Sequence, residues 1–277
     1  MRLAAVGVLG LVAVALTGCS ADTGLGEWSR AGLPPASTDR AVHIGNLWVG
    51  AWIVSMAIGV LMWGLMGWCF TRYRRKHADE VPKQTRFNLP LELMYTVVPF
   101  LIIGVLFLYT VQTQNKVLER SENPDQVVNV VGQKWSWTFN YMDTPDGTVW
   151  EAGTIEHAPT LYLPVNETVQ FNLNSPDVIH SFWIPSFYFK LDVVPGRTNS
   201  FEVTPTQKGE FAGKCAELCG TYHSAMIFNV KIVDRSEFDA KMAELAERGN
   251  TGEIKGSIGE NELAGSDELP AVAKKGE

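Results

Sequence analysis

The stretch CAELCGTYHSAM, Cys215–Met226, holds two cysteines, a histidine and a methionine within twelve residues, and Gly220 directly follows the second cysteine. Cys215 and Cys219 are four apart, and Gly220 permits a tight turn after them. His223 and Met226 complete the segment, which joins two strand-like runs, GEFAGK and MIFNVKIV. Thiolate, imidazole and thioether together form a soft donor set that selects copper. A second imidazole, His180 in DVIHSFWIP, lies on a strand-like run 35 residues before Cys215. Two cysteines supply enough sulfur to bridge two metal ions. A Cys215–Cys219 disulfide is the first alternative, permitted in an exported domain. It would close a very small loop with modest stabilisation and leave His180, His223 and Met226 unexplained. Structural zinc, the second alternative, favours sets of Cys and His and rarely uses Met.

The surrounding sequence is β in character. The runs QVVNVVG, WSWTFNY, TLYLP, TVQFNLN, HSFWI, SFEVTP and MIFNVKIV, between Gln126 and Val233, are short, β-branched and aromatic. Gly, Pro, Asn and Asp separate them, as in a sandwich or small barrel. Strand alternation places Trp135 and Trp137 on one side. After Val233, RSEFDAKMAELAERGN has helical spacing, with Phe238, Met242 and Leu245 on one face. The remainder, from Thr251, is acidic and poor in aromatics, the composition of a flexible tail.

Three apolar stretches precede residue 112. The first, with Arg2 and a short apolar core, reads as a signal peptide over 1–18. Its Leu16-Thr17-Gly18-Cys19 ending resembles a bacterial lipobox, which implies lipidation of Cys19; an ordinary signal peptide is the alternative. An external segment, 19–43, follows. The other stretches read as membrane spans over about 44–70 and 91–111, each near the roughly 20 residues needed to cross a bilayer. The loop 71–90 between them carries Arg72, Arg74, Arg75, Lys76, Lys83 and Arg86 against Asp79 and Glu80. An excess of basic residues marks a cytoplasmic loop, so the two-helix hairpin 44–111 sends everything after it outside. Met56, Met62 and Met66 read as packing residues. Cys69, at the cytoplasmic end of the first span, reads as a buried or reducible free thiol.

The net charge is −7, and residues 112–277 hold 24 acids against 14 bases. This balance argues against nucleic-acid binding. It suits either a cationic docking partner or ordinary solubility. No Cys-x-x-Cys-His is present, so the chain carries no covalent c-type haem.

CAELCGTYHSAM, with DVIHSFWIP upstream and a two-helix hairpin before both, resembles subunit 2 of the bacterial haem–copper cytochrome c oxidases over roughly residues 44–235. The resemblance implies a transmembrane hairpin plus an all-β, cupredoxin-like Greek-key domain over 112–235. A short helix and acidic tail, 236–277, lie beyond it. It implies a dinuclear copper centre bridged by Cys215 and Cys219. One ion takes His223 and the backbone carbonyl of Glu217; the other takes His180 and Met226. The Glu217 carboxylate corresponds to a ligand for magnesium at the interface with subunit 1, the alternative being a solvated loop acid. Asp177 and Asp192 flank the site as candidate acceptors that orient histidines.

GQKWSWTFNY resembles the segment where electrons arrive, with Trp135 at the arrival point; Ser136 stands where the family often has an aromatic residue. Glu92 resembles the acid at the mouth of a proton path into subunit 1, the alternative being an interfacial carboxylate facing water. Partners implied are subunits 1 and 3, the bacterial plasma membrane, and a soluble or membrane-bound c-type cytochrome as donor. Oxygen chemistry then belongs to the partner subunit. A quinol oxidase subunit lacks the copper ligands, and a nitrous oxide reductase needs a second large domain. A membrane-tethered copper carrier or sensor is the alternative from a different functional class.

Overall fold

The structure, a computed structural model, describes residues 28–255; Cys19, the signal peptide and most of the acidic tail lie outside the described residues. Two long helices, α1 (Asp39–Arg72) and α2 (Leu89–Val117), precede ten strands and a final helix, α3 (Arg235–Glu247).

Both long helices extend past the apolar limits read from sequence, because polar residues cap them. The Thr38 hydroxyl accepts a hydrogen bond from the Ala41 N–H at the start of α1 (3.2 Å), and Asn88 caps α2 in the same way through the Leu91 N–H (3.4 Å). At 34 residues α1 is about 51 Å long, more than the roughly 30 Å of bilayer hydrocarbon. Its large apolar side chains point outward: Val60 and Trp63 are each 75% exposed and Phe70 77%. Surfaces of this kind are stable only against lipid or another apolar partner. Met56, Met62 and Met66 belong to the same surface, and Cys69 is exposed rather than buried.

The strands form two five-stranded sheets. The first has the order β3 (Gly147–Ala152), β2 (Ser136–Thr144), β1 (Gln126–Gln133), β5 (Val169–Asn174), β8 (Asn199–Val203). The second has the order β4 (Thr160–Pro164), β10 (Ile227–Val233), β9 (Gly209–Cys215), β6 (His180–Ile184), β7 (Phe189–Val193). The pairs β1–β5 and β10–β4 are parallel and the remaining pairs antiparallel, so the chain crosses repeatedly between the two layers. Strands β3 and β7 were not among the runs picked out in the sequence. GTVWEA and FKLDV each carry charged or small residues, and each strand is the outermost of its sheet.

The core between the sheets is aromatic. Trp137, Phe139 and Tyr141 point inward from β2 at the period-2 spacing of a strand. Phe182 stacks on Phe228 with ring centroids 5.0 Å apart, and Phe171 stacks on Phe201 at 4.9 Å. Gly213 makes room for this packing: a Cβ there would lie 2.1 Å from the Phe228 ring.

Helix α3 closes one side of the sandwich with the three residues predicted to share a face. Phe238, Met242 and Leu245 are fully buried, and Phe238 meets Tyr141 edge-on at 5.7 Å. The residues after it correct the reading of a flexible tail from Thr251. Residues 250–252 pair with the free edge of β3: Trp150 N–H donates to the Asn250 carbonyl (3.0 Å) and Gly252 N–H to the Thr148 carbonyl (2.9 Å). Asn140 then grips Ile254 at both backbone N–H and C=O (2.8 and 3.0 Å). These contacts are non-local, so composition alone did not show them.

The hairpin and the sandwich are joined at the start of α1. Asp39 N–H donates to the Thr204 carbonyl (3.0 Å), and the Asp39 carboxylate accepts the Thr204 N–H (2.8 Å). Arg40 donates to the Lys116 carbonyl at the end of α2 (2.6 Å).

Truncating Phe238 to alanine removes the largest residue anchoring α3. The expected loss is about 3–5 kcal/mol of stability, read from denaturant unfolding of the solubilised chain by tryptophan fluorescence. A loss below about 1 kcal/mol would show that α3 lies outside the cooperative core.

Candidate metal centre

The turn from β9 to β10 carries the sulfur ligands, and backbone bonds hold both of its ends. Cys215 N–H donates to the Met226 carbonyl (2.9 Å), closing the β9–β10 ladder beyond its last strand pair. Ala216 N–H donates to the Ser181 carbonyl of β6 (2.9 Å). That bond places the first cysteine beside His180. Gly220 reverses the chain at φ +123°, and a Cβ there would come within 3.2 Å of the Trp135 ring.

The two cysteine sulfurs are 3.9 Å apart and unbonded. A disulfide needs about 2.05 Å, so the cystine reading does not describe this fold. Around them lie His180 Nδ1, 3.9 Å from Cys215 Sγ, and His223 Nδ1, 3.6 Å from Cys219 Sγ. Met226 Sδ is 3.8 Å from Cys219 Sγ, and the Glu217 carbonyl is 3.2 Å from Cys215 Sγ. His180, Cys215 and Cys219 are all buried, and their donor atoms lie within 4.8 Å of one another. His180 and Met226 are both 0% exposed, so polar and polarisable donors converge in a dry pocket. This donor set can hold a metal ion, and its softness fits copper.

Asp177 orients His180. Its Oδ1 lies 2.8 Å from His180 Nε2, which fixes the proton on Nε2 and turns the Nδ1 lone pair toward the sulfurs. Asp177 is itself held by the Lys134 N–H (2.7 Å) and the Ser175 hydroxyl (3.2 Å). Burial works against both charges, but the His180 bond together with the Lys134 and Val178 N–H groups leaves the Asp177 carboxyl below its ordinary range, and bonds to Cys215 and Asp177 leave His180 above its own. Asp192, the other carboxylate proposed as an orienter, is exposed and bonds neither histidine. Its place opposite Ser181 in the β6–β7 pair points it to the outer face of the sheet.

The two thiols differ sharply in acidity. Burial opposes ionisation of Cys215, but hydrogen bonds with His180, the Glu217 and Ser181 backbone and His223 together outweigh it and lower the thiol to about 6. Burial and the neighbouring Cys215 sulfur push Cys219 up to about 12.

Residues 126–233 match the cytochrome c oxidase subunit II periplasmic domain family, and residues 26–113 match the subunit II transmembrane domain family. The chain belongs to the cytochrome c oxidase subunit II family. A probable cytochrome c oxidase subunit 2 of Streptomyces avermitilis is 42% identical over 90% of this chain and 88% of its own. The subunit 2 of Corynebacterium glutamicum is 36% identical over 84% and 81% of the two chains. That of Mycobacterium bovis is 34% identical over 95% and 87%. The crystal structure of the periplasmic domain of cytochrome oxidase subunit II of Bradyrhizobium japonicum is 26% identical, covering 46% of this chain and 98% of that one, with a TM-score of 0.43.

Within this subunit II chain, Trp135 occupies the two-residue turn between β1 and β2, where Gln133 pairs with Ser136. Strand alternation therefore does not govern its direction. Its indole N–H donates to the Cys219 carbonyl (3.2 Å), and its ring meets Tyr222 edge-on at 5.1 Å. Trp137 is core, yet its indole N–H donates to the Met226 carbonyl (3.4 Å). Both tryptophans thus hold the sulfur-bearing turn from the same sheet, a relation the sequence pattern did not contain. The Glu217 side chain is exposed on the outside of the turn. Glu92 lies far from this centre, and its carboxylate accepts the Asn88 N–H (3.0 Å) at the start of α2. The structure thereby gives it a local capping role.

Asp177→Asn removes the charge that orients His180 and is expected to weaken copper binding by about 10–100-fold, measured by competition with a chelator of known affinity. An unchanged affinity would show that His180 needs no orienting acid. In the metal-free protein, alkylation of Cys215 mapped by mass spectrometry should rise with pH through a midpoint near 6 while Cys219 stays unmodified at neutral pH. Thiolate forms as pH rises through the thiol's pKa, so a midpoint at the ordinary thiol value, about 8.5, would contradict the assigned His180–Cys215 contact.

Proposed function

We propose that this chain is the electron-accepting subunit of a cytochrome c oxidase. It takes single electrons from a c-type cytochrome outside the membrane and passes them to haem in subunit 1, where O2 is reduced to water with proton pumping. The observation that carries this reading is the convergence of the buried His180, Cys215, Cys219 and Met226 with the half-buried His223 in a subunit II fold.

Following the family, Cys215 and Cys219 would be shared between two copper ions. His223 with the Glu217 carbonyl would complete one, and His180 with Met226 the other. Bound copper supplies one-electron chemistry without an exchange of ligands. The chain contributes rigidity: the Met226 carbonyl accepts both the Cys215 N–H and the Trp137 indole, so the turn has little freedom to move. Burial excludes water from the sulfurs. Trp135 bonds the Cys219 carbonyl and is half-buried, so it offers a path from the surface to the turn. The exposed Leu218 and Tyr222 beside it form an apolar patch within an acidic domain, which suits a cationic donor.

Further assignments rest on the same family reading. Both α1 and α2 cross the bacterial plasma membrane, with residues 71–90 in the cytoplasm and the copper domain, 112–235, outside. The exposed Glu217 carboxylate would hold magnesium at the interface with subunit 1. Glu92 opens a proton path at the cytoplasmic end of α2, its Asn88 contact holding the carboxylate at that level. Subunit 3 completes the membrane assembly.

Within the purified oxidase, this chain should hold two copper ions, with one unpaired electron spread over two copper nuclei in the spin resonance hyperfine pattern of its centre. A pattern from a single copper nucleus would overturn the dinuclear assignment. Trp135→Phe should leave that pattern intact and slow reduction by the donor cytochrome on the order of tenfold, about 1.4 kcal/mol of barrier. Unchanged reduction would remove Trp135 from the path.

A further inference from the structure

An apolar cleft of about 630 Å³ separates the first described residues from the outer half of α1. Its walls are Trp28 and Gly32 on one side, and Val49, Trp52, Ile53 and Met56 on the other. The chain reaches this place by folding back. Ala31 and Gly32 both adopt left-handed backbone conformations, φ 49° and 82°, and the Trp48 indole N–H donates to the Ala31 carbonyl (3.1 Å). From there the chain climbs to Ser37, which is pinned to Ser186 of the sandwich by backbone and hydroxyl bonds (3.0 and 2.8 Å).

The depth of the cleft follows from helix geometry, given the membrane orientation proposed above. Counting about 20 residues of hydrocarbon outward from Phe70 puts the external boundary near Ala51. Trp48 and Trp52 then lie at the level where tryptophans concentrate at the membrane surface. The cleft straddles that boundary and is open on its outer side, with Trp28 62% and Ile53 65% exposed in the single chain. Trp28 lies nine positions after Cys19, a reach of at most about 30 Å. The intervening SADTGLGE offers a single large apolar side chain, Leu25, so the peptide itself does not match an apolar cleft.

We propose that this cleft seats an acyl chain carried on Cys19. The proposal rests on the membrane orientation above and on the lipobox resemblance of Leu16–Cys19. The modification joins Cys19 Sγ to a diacylglyceryl group drawn from a membrane phospholipid: the S–C bond forms, the C–O bond to the headgroup phosphate breaks, and the thiol proton leaves with that phosphate. Hydrolysis of the Gly18–Cys19 bond then frees the modified residue as the N-terminus. One acyl anchor adds little membrane affinity beside two spanning helices. Seated in the cleft, it instead fastens the N-terminal segment along α1, above which Ser37 and Thr38 join helix to sandwich.

The test uses the full-length chain in its native membrane complex, from cells supplied with a photoactivatable diazirine fatty acid. Peptide mass spectrometry should show Cys19 as a diacylglyceryl thioether. Irradiation should cross-link its acyl chain to the peptides bearing Trp28 and Val49–Met56, and Cys19→Ser should lose these cross-links. An unmodified Cys19 in a chain that is still membrane-embedded overturns the proposal at the lipid and leaves the membrane reading standing. A modified Cys19 whose cross-links fall on α2 or on another subunit overturns the seat. Cross-links that persist in Cys19→Ser show an ordinary membrane lipid in the cleft and also overturn it. Should Cys19→Ser block maturation, Val49→Trp fills the cleft: acylation should persist while cross-links leave Trp28, and cross-links that stay there defeat the assignment. Recovery of the chain free of membrane would instead refute the orientation on which the proposal stands.

Discussion

The Met226 carbonyl is the constraint on which the centre depends. It accepts the backbone N–H of Cys215 and the indole N–H of Trp137. The first bond closes the β9–β10 ladder, so both ends of the sulfur-bearing turn belong to rigid strands. The second ties the turn to the opposite sheet. Within that frame the sulfurs stay 3.9 Å apart, close enough to share a cation and too far to form cystine. A buried site whose donors are already in place reorganises little when its charge changes, which suits electron transfer.

The second constraint is that one chain must satisfy two solvents. The helices present their large apolar side chains outward, whereas the sandwich hides its aromatics between two sheets. The junction is short and rests on several hydrogen bonds. Thr38 caps α1, Asp39 exchanges two bonds with Thr204, and Arg40 reaches across to the end of α2. A rigid junction holds the metal centre at a set height above the helices, and the distance from donor to acceptor governs the speed of electron transfer.

Polar atoms around the centre are arranged in series. Ser175 and the Lys134 N–H hold Asp177, Asp177 holds His180, and His180 faces Cys215. Lys134 also precedes Trp135, so the same short turn supports both the orienting acid and the tryptophan at the surface. The linkage places the proposed path for electrons and the geometry of one ligand under common structural control.

The sequence alone determined the chemistry and the class of fold. Cys, His and Met at close spacing state their donor preferences without coordinates. Period-2 runs identify strands, helical spacing identified the buried face of α3, and uncharged apolar length identified both long helices. Tertiary structure alone decided what depends on distant partners. The strands β3 and β7 show too few alternating apolar residues to read as runs, and pairing with β2 and β6 sets them in place. Residues 250–254 are held by Trp150, Thr148 and Asn140, roughly a hundred residues away in sequence. Trp135 left the strand reading because it sits in a turn, and Asp177, three residues before His180, bonds it, whereas Asp192 on the paired strand β7 is exposed. Local periodicity reports which side of an element is buried; it carries no information about which residue waits on the other side.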